Sequence, residues 1–160
     1  MKKMLPMKEY YASLPRKRMA AGCLFLDAHQ RVLLVKPNYK DSWEIPGGVV
    51  EEDESPRACA KRETLEEIGL DLRVGRLLVI DYCERVGNKT ESLMFIFDGG
   101  ILETNEINAI KLQPEELVEF EFFLHDQLPE PMFPMLSKRV QAAWRRVTHP
   151  GNSYLENQKE

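Results

Sequence analysis

Three carboxylates and one guanidinium fall within six residues of each other, at Arg62, Glu63, Glu66 and Glu67. The segment around them has helix signals. Ser55 can cap its start, Pro56 fits the first helical position, and Gly69 can end it. At about 100° per residue, Glu63, Glu66 and Glu67 lie near 0°, 300° and 40° around the axis, so they share one face. Like charges at that spacing repel. A hard divalent cation relieves the repulsion, because Mg²⁺ prefers oxygen ligands. The bland alternative is a solvated acidic helix face. Arg62 in the same turn and Gly47-Gly48 upstream favour the metal reading. A glycine pair lets backbone approach a ligand closely.

The whole stretch Gly48–Leu70 resembles the Nudix box, G-x5-E-x7-R-E-U-x-E-E-x-G-U, with U a bulky apolar residue. Gly48, Glu54, Arg62, Glu63, Glu66, Glu67, Gly69 and Leu70 all fall in place. Thr64 stands at the first U position. It is close to Val in shape, so the packing is expected to survive at a small cost. The resemblance covers roughly residues 17 to 147, and its specific motif residues 43–70. It implies an α/β fold, a Nudix-type α/β/α sandwich with a mixed β-sheet flanked by helices.

The resemblance also implies an enzyme, a pyrophosphohydrolase. It would hydrolyse the diphosphate bridge of a nucleoside diphosphate linked to another moiety, such as a nucleoside triphosphate, ADP-ribose or a sugar nucleotide. Glu63, Glu66 and Glu67, with the carbonyl of Gly47, would hold Mg²⁺; Mn²⁺ also suits an all-oxygen shell. Arg62 would orient the carboxylates through its planar fork, and Glu54 would bind Arg62 or a metal-bound water. The general base is left open by the motif. Glu67 or Glu66 is favoured, with Glu91, Glu116 and Glu119 as weaker candidates. Trp43 and Tyr39 could stack on a base; Phe95 and Phe122 suit the core better. Cys59 lies one turn before Glu63, but no His nearby in sequence would activate it as a nucleophile.

Substrate markers outside the box are silent. No proline occurs between Pro56 and Pro114 as the ADP-ribose type would carry, and the coenzyme A motif is absent. Tyr82 lies too near the box to mark a dinucleoside polyphosphate type. A second class of function is a catalytically silent Nudix-fold module that senses a nucleotide. Such modules usually lose a box carboxylate or the Arg, and this chain keeps them all. A pure interaction protein would leave the Gly-Gly loop and Arg62 without purpose.

Length and composition suit one globular domain. The chain has 160 residues, 43% apolar and 30% charged, enough to bury a core without metal or disulfide staples. A net charge of −4 argues against a nucleic-acid surface. Cys23, Cys59 and Cys83 are odd in number and scattered, which fits reduced thiols and a cytoplasmic location. Neither a signal peptide nor a membrane span is legible.

Residues 1–16 read as a basic, solvated N-terminal arm carrying Lys2, Lys3, Lys8 and Arg16. Residues 17–149 read as a single domain, and residues 150–160 as a polar, loosely attached tail. A homodimer through the arm or the outer sheet is compatible with the pattern. Within the domain, residues 19–26 and 31–36 predict a hairpin over a four-residue turn. Further strands are expected at 72–82, with a bulge at Gly75, at 92–97, at 110–112, and at 117–124 with one polar side. On the acidic helix, Ala58, Leu65 and Ile68 should pack on the sheet while the glutamates face away. After Phe133, an amphipathic helix spans about 135–147, with Lys138, Arg139, Arg145 and Arg146 on its solvated face.

Overall fold

The computed structural model describes residues 6–132, 134–151 and 153–159. Lys2, Lys3 and Phe133 lie outside them. In chain order the elements are α1 (Met7–Ser13), β1 (Arg18–Leu26), β2 (Val32–Pro37), β3 (Gly47–Val49), α2 (Pro56–Ile68), β4 (Leu77–Cys83), β5 (Ser92–Ile101), α3 (Thr104–Ala109), β6 (Leu117–Phe123), α4 (Pro134–Thr148) and β7 (Ser153–Glu156). The strands form one mixed sheet in the order β6-β2-β1-β5-β4-β7, with β3 also paired to β1. β1 runs parallel to β5, and β4 parallel to β7.

Period-2 alternation, with both faces covered, explains why β1 beyond Arg18 and β2 up to Val35 are apolar without a break. Leu24, Leu26, Val32 and Leu34 pack with Val140 and Ala143 of α4 on one face. Cys23, Phe25, Leu33 and Val35 pack with Cys59, Ala60 and Ile68 of α2 on the other. Helices cover both faces of a mixed sheet, the α/β/α arrangement expected. Each fully buried Leu or Phe in these layers contributes roughly 1.5–3 kcal/mol.

Helix α2 begins and ends as its sequence dictates. The Ser55 hydroxyl accepts the Ala58 N–H at 3.2 Å, and Gly69 takes the left-handed conformation at φ 73°. Its buried stripe differs from the expected one. Ala58 and Leu65 are exposed, whereas Cys59, Ala60, Thr64, Glu67 and Ile68 are buried. Small residues at 59 and 60 let the helix approach the sheet. Thr64 joins them because its hydroxyl is satisfied inside the helix, donating to the Ala60 carbonyl at 2.7 Å.

Several expectations need correction. The N-terminal arm contains α1, none of whose residues is buried. β4 starts at Leu77, although Gly75 N–H already donates to Asp98 O of β5 at 2.7 Å, and the bulge expected at Gly75 falls instead between Leu77 and Val79. Residues 110–112 form no strand. Their backbone caps the C-terminal end of α2 instead, Lys111 N–H donating to Ile68 O and Gln113 N–H to Glu67 O at 2.9 and 3.1 Å. The tail is not loose, since Ser153–Glu156 forms β7 on the edge of β4. Arg139 leaves the solvated face of α4 and is 6% exposed, drawn in by Asp81 of β4, whose carboxylate oxygen lies 2.5 Å from its Nε. No helix among the described residues is long and apolar enough to cross a membrane.

Candidate active site

The carboxylates meet β3 where it lies against β1. Gly47 and Gly48 pair with Gly22 and Ala21 there. A Cβ on Gly47 would come within 2.5 Å of the Ala21 carbonyl oxygen. A Cβ on Gly48 would come within 2.2 Å of Glu63 Oε1. The glycine pair thus lets strand, neighbouring strand and acidic helix close on one another.

Arg62 organises the cluster. Its Nε and Nη2 reach the two oxygens of Glu54, each at 2.9 Å. Its Nη1 reaches Glu63 Oε1 at 2.8 Å and Glu66 Oε2 at 2.9 Å. Nη2 also donates to the Val49 carbonyl at 3.2 Å. Glu54 is therefore the bidentate partner that aims the guanidinium. Those bonds, first of all the one from Arg62, hold the Glu54 carboxyl down at about 2.

Glu67 is placed differently from its neighbours. It turns under the helix and accepts the Gly47 N–H at 2.8 Å, leaving it 8% exposed. Burial pushes its carboxyl up to about 8 against that hydrogen bond, with Glu63, Glu44 and Glu116 adding repulsion. Burial also raises Glu63, opposed by Arg62 and reinforced by Glu66 and Glu116. In this structure Gly47 meets the cluster through its N–H.

Two residues outside the box thus stand at the site. Glu44 arrives because its backbone bridges to Val35 of β2. Glu116 arrives because the 110–116 segment wraps the end of α2, and its carbonyl accepts the Asn38 N–H at 2.8 Å. Glu44 was not singled out in the sequence, although it sits inside the Trp43–Gly48 run. Glu116 was named only as a weaker base.

The other candidates separate clearly. Glu91 is bonded to Lys17 and Tyr82, and Glu119 sits in β6 opposite Lys36. Trp43 is a core residue, 7% exposed and edge-to-face with Phe123 at 5.1 Å, so it is no stacking platform. Tyr39 is exposed beside a cleft that Gly47 and Gly48 also line. Burial lifts the Cys59 thiol to about 11, which removes it as a nucleophile at neutral pH.

The donor set fits a hard divalent cation. Every donor is oxygen, and Glu63 and Glu66 share one guanidinium that is already bound to Glu54, while Glu67 bonds to no cation among the described residues. Among the described residues no three such side chains enclose an ion as they stand. Arg62 engages Glu63 and Glu66, and the Gly47 N–H engages Glu67. A larger hollow of about 590 Å³ lies by Ser55, Arg57, Lys61 and Arg73. There Arg57 bonds the Val74 and Gly75 carbonyls and Lys61 pairs with Asp71, so it carries no carboxylate chemistry.

An α/β/α sandwich with an acidic helix set against a Gly-Gly strand is the architecture of the Nudix proteins. A UDP-X diphosphatase shares it at TM-score 0.73, with 23% identity over 95% of this chain and 76% of that one. The NUDIX domain of Shewanella oneidensis NrtR, solved with ADP ribose, shares it at TM-score 0.69, with 18% identity over 89% and 99%. The sequence model of the NUDIX domain matches residues 16–143, and the chain belongs to that family. Diphosphoinositol polyphosphate phosphohydrolase 2 of Rattus norvegicus is 44% identical over 66 residues, 41% of this chain and 37% of that protein. The match thus spans little more than a third of that relative's length.

Proposed function

We propose that this protein is a pyrophosphohydrolase that cleaves the diphosphate bridge of a nucleoside diphosphate linked to another moiety. Mg²⁺, or Mn²⁺ in its place, would be held by Glu63, Glu66, Glu67 and the Gly47 carbonyl. The observation that carries this is the excess of carboxylate over cation. Glu67 is buried against Glu63 with Glu44 and Glu116 nearby, and the single guanidinium among them is shared four ways. Bound there, a divalent ion supplies charge neutralisation for the phosphates and a more acidic water.

The chain's own residues supply the rest. Glu54 fixes Arg62, Arg62 sets the positions of Glu63 and Glu66, and the Gly47 N–H holds Glu67 against β3. Water attacks phosphorus, the bridging P–O bond breaks, and a box glutamate, Glu66 or Glu67, takes the water's proton. Loading the metal must compete with Arg62 for Glu63 and Glu66.

The test is phosphate release from purified protein with Mg²⁺, Mn²⁺ or EDTA, adding a phosphatase to reveal monophosphate products. The panel holds nucleoside triphosphates, ADP-ribose, sugar nucleotides, dinucleoside polyphosphates and a diphosphoinositol polyphosphate. EDTA-sensitive turnover is the expected result. Nucleotide binding with no turnover would assign the nucleotide-sensing module instead.

A further inference from the structure

A cleft of about 330 Å³ opens on the α4 face of the sheet, near the small end of the roughly 300–1,000 Å³ range of small-molecule sites. Gly47, Gly48 and Glu44 line one end of it, so it shares a wall with the carboxylates. Ala20 and Gly22 of β1 lie beside Met94 and Ile96 of β5 to make its floor. Ile45 and Leu136 line it as well, and so does Arg139. β3, β1, β5 and β4 are successive neighbours in the sheet, and Arg139 is anchored on β4. Three strand spacings, about 14 Å, therefore separate the Gly47–Glu67 contact from that anchor.

The anchor is rigid. Arg139 Nε donates to Asp81 Oδ2 at 2.5 Å, and its Nη2 to Cys83 Sγ at 2.9 Å. Asp81 is fully buried and also accepts the Gln158 N–H at 3.1 Å and its side-chain amide at 2.9 Å. Among the described residues nothing accepts a hydrogen bond from Arg139 Nη1. A guanidinium has donors only. One edge of it is fixed by Asp81 and Cys83, and the residue lines a cleft whose floor is apolar and whose other charges, Lys40 and Glu44, pair with each other.

Charge decides which group the cleft takes. Its cations are Lys40, paired with Glu44 at 2.7 Å, and Arg139, paired with Asp81. A polyphosphorylated inositol calls for several unspent cations. A flat apolar ring with one acceptor edge matches the Ala, Gly, Ile, Met and Leu lining instead.

We propose that this cleft seats the nucleobase of the substrate and that Arg139 selects its edge through Nη1. Bases that present a ring carbonyl there, guanine and uracil, are accepted. Adenine and cytosine, which present an amino donor at the corresponding position, are disfavoured. The proposal rests on the hydrolase reading for the placing of the diphosphate beside Gly47.

Calorimetric titration of GMP, UMP, AMP and CMP into the full chain with Mg²⁺ tests it without turnover. GMP or UMP should bind about tenfold tighter than AMP and CMP, the effect of one hydrogen bond to a charged donor. Arg139→Lys keeps a cation for Asp81 but loses the fork, and should bring the four affinities together. Ala20→Leu fills the floor two strands away from Asp81, without touching the Asp81 hydrogen bonds, and should weaken all four by about tenfold or more. Equal affinities in the unaltered protein, or a preference unchanged in Arg139→Lys, would overturn the proposal. If Arg139→Lys fails to fold, the base ranking of the unaltered protein and the Ala20→Leu loss decide. Base-selective binding without hydrolysis would keep this proposal and remove the hydrolase reading. Hydrolysis of a diphosphoinositol polyphosphate that Ala20→Leu leaves intact would do the reverse.

Discussion

Glu67 couples the site's chemistry to the protein's stability. Its carboxyl has an ordinary value of 4.5 and stands at about 8 in the fold, chiefly through burial. The native state then holds this proton more tightly than the unfolded chain. Without metal, stability should fall as pH rises from about 4.5 to about 8 and level off above. Glu63 acts in the same direction. Glu54 acts oppositely. Its carboxyl is depressed to about 2, so its contribution is present above 4.5 and lost as pH falls through about 2. Melting temperatures in EDTA should show the decline from pH 5 to 8, Glu67→Gln should flatten it, and Mg²⁺ should restore the loss. The same Glu67→Gln protein should fold and lose most EDTA-sensitive turnover, since a carboxamide is a weaker ligand; near-normal rates with Mg²⁺ would sink the metal assignment. Arg62→Lys cannot fork to Glu54, Glu63 and Glu66 together, and should cost roughly 10–100-fold in kcat/KM, the usual effect of losing an orienting partner. Arg62, Glu63, Glu66 and Glu67 were legible in the sequence because helical spacing is a local property, whereas Glu54, before the helix starts, came from the resemblance to the Nudix box. Glu44 and the inward turn of Arg139 were not, and Glu116 was reached only as a weaker base, because each arrives through a return of the chain that spacing does not encode.

At the level of elements, the site is a packing problem between β3 and α2. The strand contributes only three residues, yet a side chain on Gly48 would occupy the space of the Glu63 carboxylate. Gly48→Ala should leave circular dichroism and melting temperature nearly unchanged, because the far end of Glu63 can swing aside, while turnover falls at least tenfold by the reasoning applied to misplaced catalytic groups. A loss of fold instead would mean that the strand itself cannot shift. Helix boundaries were readable here because Ser55, Pro56 and Gly69 act on their own backbone. The face that α2 buries was not, since apolar size alone pointed to Ala58 and Leu65. Close approach to the sheet selected the small residues Cys59 and Ala60, and internal hydrogen bonding made Thr64 acceptable there. Residues 110–112 differ for a related reason: the alternation Ile110-Lys111-Leu112 suits a strand, but an open carbonyl at the end of α2 takes the Lys111 N–H.

For the molecule as a whole, the two edges of the sheet have different fates. β6 ends it on one side, with Glu119 and Glu121 exposed, a usual defence against edge pairing. On the other side β7 covers β4, and Gln158 and Arg139 converge on Asp81 beneath it. Asp81→Ala would strand the Arg139 guanidinium without its carboxylate, and should cost about 3–5 kcal/mol in chemical denaturation. The polar composition of residues 150–160 concealed this role, because a four-residue edge strand has too short an alternation to stand out from a tail. The order of synthesis gives that cluster a history. Asp81 leaves the ribosome 58 residues before Arg139 and 77 before Gln158. At roughly 5–20 residues per second, it spends about 4–15 seconds as a hydrated carboxylate before its last partner emerges. The far end of the cleft therefore cannot take its full set of hydrogen bonds until Gln158 has been made.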